Sequence, residues 1–132
     1  MNSAADIALI ADDDPICRAI VHAYLRKVGW ATVIEAGDGS EAQRAVMAIG
    51  ARLGLVVSDI SMPVADGVEF LGFLAGRRRD CPVIIVTGTA PAIARASAGM
   101  AKANGLTLLG LIAKPVTPDN LAAVVPRFVS GG

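Results

Sequence analysis

Four acids, one hydroxyl and one amine draw attention because each closes or follows a short apolar run. Asp12, Asp13 and Asp14 come directly after IALIA, and Asp59 comes after LGLVVS. Thr87 closes PVIIVT, and Lys114 follows TLLGLIA. If the first and third runs are neighbouring strands, Asp12 or Asp13 can come close to Asp59. Two carboxylates about 4 Å apart repel by roughly 4 kcal/mol at an effective dielectric of 20, so such a cluster calls for a cation. Oxygen donors without His or Cys suit a hard ion, and an open, water-completed site suits Mg2+ better than Ca2+.

Taken singly, each residue has a plainer explanation. Asp14 before Pro15 reads as a helix N-cap, since proline suits the first helical position. Asp12 and Asp13 cannot cap that same helix as well, which leaves two acids over. Asp59 alone would serve a turn, Thr87 alone would be a β-branched strand residue, and Lys114 alone would be solvated. Together they stand at four separate strand ends, and the plain readings would all have to coincide.

The elements that must hold these residues alternate along the whole chain. Strands are expected at Ile7 to Ala11, Ala31 to Glu35, Leu53 to Ser58, Pro82 to Thr87 and Thr107 to Ile112. The third and fourth are continuously apolar, as strands covered on both faces should be. Helices are expected at Pro15 to Val28, Ser40 to Ile49, Asp66 to Gly76, Pro91 to Asn104 and Pro118 to Val129, with Gly29, Gly37 to Gly39 and Gly105 as breakers. Five strand–helix repeats mean an α/β fold: a doubly wound parallel sheet with helices on both faces and its chemistry at the carboxyl ends of the strands.

Composition narrows the class further. The chain has 132 residues, enough for one domain and too few for a second core. Lys+Arg and Asp+Glu stand at 12 each, so no net charge draws it to nucleic acid or membrane. Mean hydropathy is high at +0.57, yet no run reaches the length of a membrane span, and the start lacks the basic segment of a secretory signal. Cys17 and Cys81 fit no metal spacing, and the expected setting is the reducing cytoplasm.

The motifs resemble the receiver domain of two-component response regulators, from Ile7 to Val129, with a core of about residues 6–129 in a single domain spanning 1–132. IADDDP resembles the family's first-strand acidic motif, SDISMPVADGVEFL its acceptor-aspartate signature, VTG its switch hydroxyl and AKPV its lysine. The resemblance implies a five-stranded flavodoxin-like sheet of order 2-1-3-4-5 and a signalling switch rather than an enzyme. It implies phosphorylation of Asp59 by a histidine kinase or phosphotransfer protein. Asp12, Asp13, Asp59 and the Ser61 carbonyl would bind Mg2+, while Thr87 and Lys114 would contact the phosphoryl group. It also implies a cis Lys114–Pro115 bond. The helix from Pro91, the last strand and the last helix would form the face for an output domain or target, or for a second copy after phosphorylation.

The chain departs from the pattern in two places. Leu111 stands three residues before Lys114, where the family often has an aromatic side chain. The segment 87–114 is long and alanine-rich, and its GLTLLGLIAKP end resembles receivers fused to cyclic-di-GMP phosphodiesterase domains. Rival chemistries fit less well. A haloacid dehalogenase-type phosphatase wants a second Asp two residues after its nucleophile, where Ser61 stands. A flavodoxin-type carrier wants a phosphate-cradling loop, where three aspartates stand. His22 is expected on the surface or packed on its helix, Arg77 to Arg79 at a solvated helix end, and Trp30 packed at the start of the second strand.

Overall fold

The computed structural model describes residues 5–60, 67–88 and 90–127. Five parallel strands lie in the order β2-β1-β3-β4-β5: β1 Ile7–Ala11, β2 Thr32–Ala36, β3 Leu53–Asp59, β4 Pro82–Thr87 and β5 Thr107–Ala113. The helices between and after them are α1 Pro15–Lys27, α2 Gly39–Ile49, α3 Gly67–Arg77, α4 Pro91–Ala103 and α5 Pro118–Val124, with a short 3-10 turn at Gly50–Arg52. The expected order and alternation are both present.

Alternation along the strands divides the core in two. Leu9, Ala11, Val56, Val83 and Ile85 point to a layer with Val46 of α2, Phe70 and Leu74 of α3, and Ala101 of α4. Ala8, Ile10, Leu55, Val57, Ile84 and Ile112 point the other way, against Cys17, Val21 and Leu25 of α1 and Leu121 of α5. A strand covered on both faces has no side free for polar residues, which explains the unbroken apolar runs.

Helix starts follow local chemistry. Asp14 caps α1 through its side chain and the amide of Ile16, and Asp38 caps α2 through the amide of Glu41. Thr117 and Asn120 form a reciprocal capping box on α5. The Pro118 to Val129 helix is shorter than the sequence suggests. Pro126 disfavours helical geometry in the residue before it, and Val125 is extended with φ −81° and ψ 122°. Likewise β2 begins one residue later than expected. The turn ending α1 carries on to Trp30, whose amide donates to the Leu25 carbonyl.

Two strand glycines sit at register shifts that no alternation pattern reveals. Opposite β1, the pairing jumps from Leu53 to Leu55, and a side chain on Gly54 would collide with the Ala5 backbone. Opposite β4, it jumps from Leu108 to Gly110, where an added Cβ would meet Val124 Cγ1 at 2.5 Å. The bare backbone at Gly110 lets α5 close on β5.

Candidate functional site

All the strands run parallel, so their carboxyl ends share one rim, and the acids gather there. Asp59 is the last residue of β3 and Asp12 follows the last residue of β1. Both are almost fully buried, at 3% and 2% exposure, which for a carboxylate demands compensation. Asp13 is exposed. One oxygen from each of Asp12, Asp13 and Asp59 lies within 4.8 Å of the others. At that spacing a carboxylate pair still repels by about 3 kcal/mol at an effective dielectric of 20.

Lys114 supplies part of the answer. Its Nζ donates to Asp59 Oδ2 at 3.0 Å and to Asp12 Oδ1 at 3.2 Å. Burial alone would weaken its charge. The hydrogen bond to Asp59, the charges of Asp59 and Asp12 and the bond to Asp12 outweigh that, and its pKa lies above the ordinary value. The Lys114 amide also donates to the Thr87 carbonyl at 2.8 Å, tying the ends of β4 and β5 together. The Lys114–Pro115 bond is cis. Thr87 closes β4 and is buried at 2% exposure, on the strand next to Asp59. Among the described residues, the cluster sets three carboxylates against the one lysine that bonds two of them.

The donor set fits a hard divalent ion: clustered carboxylate oxygens, without imidazole or thiolate among the three. Ser61, expected to add its carbonyl, lies outside the described residues. The structure thus brings Asp12, Asp13, Asp59 and Lys114 together and sets Thr87 at the neighbouring strand end. Leu111 is half-buried, packed against the core layer shared by α2, α3 and α4.

Several contributors escaped the sequence reading. Ser58 is fully buried, and its hydroxyl donates to the Asp59 carbonyl at 3.0 Å. Cys17 lies beneath the acidic loop, where burial first and then Asp12 push its thiol pKa up to about 12. Arg18 donates from Nη1 to the Asp12 carbonyl at 2.7 Å and from Nε to Glu35 Oε1 at 3.0 Å. His22 Nδ1 lies 2.7 Å from Glu35 Oε2, so it sits on the surface as expected but with a partner. Arg77 and Arg79 are exposed, as a solvated helix end should be, with Arg77 over the Phe73 ring, whereas Arg78 is half-buried and donates to the carbonyls of Gly50 and Leu53. Trp30 is buried, and its Nε1 donates to the Pro126 carbonyl at 3.3 Å.

Known proteins are similar to this chain over most of its length. The family model of the response regulator receiver domain matches residues 8–126. Chemotaxis protein CheY4 of Vibrio cholerae superposes with a TM-score of 0.72 at 30% identity, covering 91% of this chain and 95% of that one. The cyclic di-GMP phosphodiesterase RocR of Pseudomonas aeruginosa is 28% identical over 120 residues, 91% of this chain and 30% of that protein. Sensor kinase CckA of Brucella abortus is 33% identical over 130 residues, 98% of this chain and 13% of that protein. The chain therefore spans less than a third of either of those two relatives. It belongs to the response regulator receiver domain family, and is a receiver of two-component signalling.

Proposed function

We propose that this receiver is a phosphoacceptor switch with Asp59 as the phosphorylated residue. The observation that carries this reading is the Lys114 ammonium, which bridges Asp59 and Asp12 within a cluster of three carboxylates. An oxygen of Asp59 attacks the phosphorus of a phosphohistidine on a kinase or phosphotransfer protein. The new O–P bond makes an acyl phosphate, and the broken P–N bond leaves its electron pair on the imidazole. Asp12, Asp13 and Asp59, together with the Ser61 carbonyl, would hold Mg2+, which when bound neutralises charge on the transferring group. Lys114 starts on the Asp59 carboxylate and afterwards pairs with a phosphoryl oxygen. Thr87 donates its hydroxyl to another oxygen of that group, and its movement is the switch. The chain does not turn over an external substrate.

The signal then leaves through α4, β5 and α5. Of the α4 alanines, only Ala94 and Ala101 are buried, so the helix has few contacts fixing one position. A target, an output domain or a second copy would read this face, with Leu111 acting by packing alone. Free, buried Cys17 and Cys81 suit a reducing cytoplasm, and residues 6–129 would form the single working unit. The test is intact mass after treatment with a small acyl phosphate and Mg2+. Wild type gains one phosphoryl group and Asp59→Asn gains none, whereas full labelling of Asp59→Asn would refute the assignment.

A further inference from the structure

We infer that Arg18 is a positioning residue for the metal-binding loop, held in place by Glu35 and, through Glu35, by His22. The inference rests on reading Asp12, Asp13 and Asp59 as the Mg2+ and phosphoacceptor site. Arg18 is the fourth residue of α1, close to the positive end of the helix dipole, where a cation is unfavourable for the helix itself. Its placement follows instead from what it bonds. The guanidinium spans the Asp12 carbonyl at 2.7 Å and Glu35 Oε1 at 3.0 Å.

The Asp12 carbonyl is a critical atom in this loop. The peptide unit is planar, so the Asp12 carbonyl and the Asp13 nitrogen move as one body. The Asp12 side is already fixed: its amide donates to the Ala36 carbonyl, and its Oδ1 accepts from the Asp14 amide and Lys114. Asp13 is exposed, so among the described residues no core encloses its side chain to aim it. Holding the carbonyl therefore sets the plane from which Asp13 projects toward Asp59.

Glu35 reaches α1 because of the sheet register. It lies opposite Ile10 in the β1–β2 pairing, and Ile10 packs on the α1 face. Arg18 and His22 are one helical turn apart, and they take the two oxygens of Glu35 at 3.0 and 2.7 Å. An exposed ion pair alone contributes little to stability. Here the pair immobilises a donor whose other arm ends on the loop, and partners of that kind change metal affinity by about 10–100-fold when removed.

The test combines Mg2+ titration by calorimetry with labelling by a small acyl phosphate at increasing Mg2+. For Arg18→Ala, the Mg2+ dissociation constant and the Mg2+ needed for half-maximal labelling should both rise about tenfold or more. The labelling rate at saturating Mg2+ should stay near wild type. Glu35→Gln should move both in the same direction by less. A folded Arg18→Ala that binds Mg2+ as wild type does, with only its melting temperature lowered, would overturn the inference. If Arg18→Ala does not fold, Glu35→Gln decides, and unchanged Mg2+ affinity there overturns it. A wild type that neither binds Mg2+ nor takes the label would defeat the phosphoacceptor reading itself, and this inference with it.

Discussion

The two ends of the sheet handle charge in opposite ways. At the amino ends of the strands, charges meet their complements. Arg52 grips both oxygens of Asp6 at 2.9 Å, and Arg78 joins Asp80 to the carbonyls that precede and open β3. At the carboxyl ends, Asp12, Asp13 and Asp59 cluster together, Lys114 bonds Asp12 and Asp59, and those two acids are buried. One end is built for stability. The other gathers like charges, which repel one another, and the cation and phosphoryl group proposed for this rim would change that balance.

On this contrast, removing the Lys114 ammonium, which bonds both buried acids, should do the most damage. Lys114→Ala leaves two buried carboxylates facing each other and should cost about 3–5 kcal/mol in urea unfolding at neutral pH. The Lys114 pKa is raised, so its contribution is intact below the ordinary value of 10.5 and fades only as pH climbs beyond that. The gap between variant and wild type should therefore persist from pH 6 to 9 and narrow in strong alkali. A gap below 1 kcal/mol would mean that the acids are adequately solvated without Lys114.

The opposite rim should separate stability from function. Arg78→Ala removes the donors to the Gly50 and Leu53 carbonyls, the latter partly buried, and should cost about 1–2 kcal/mol. It should leave Mg2+ affinity and labelling by a small acyl phosphate unchanged. A change in either would mean that the two rims communicate through β3.

How much of this was legible follows from the same contrast. The acidic rim could be read because apolar runs ending in Asp59, Thr87 and Lys114 announce buried parallel strands and mark their ends. The opposite rim could not, since an arginine that bonds main-chain carbonyls looks the same in sequence as one in water. The bulges at Gly54 and Gly110 were hidden for a related reason: a glycine in a strand does not say which neighbour presses against it. Pro126 did carry a readable signal for the end of α5. So did Arg18 and His22, four residues apart on α1, but their partner Glu35 becomes visible only once β2 is laid beside β1.

The contrast is tested most directly by thermal unfolding of wild type and Asp13→Ala, each with and without Mg2+. Asp13 is exposed, so solvent screens part of its repulsion, and removing it should stabilise the metal-free protein by about 1 kcal/mol. Mg2+ should raise the melting temperature of wild type, because a ligand bound only by the native state stabilises it, and should leave that of Asp13→Ala nearly unmoved. A metal-free Asp13→Ala less stable than wild type, or one still raised by Mg2+ to the same extent, would contradict the account.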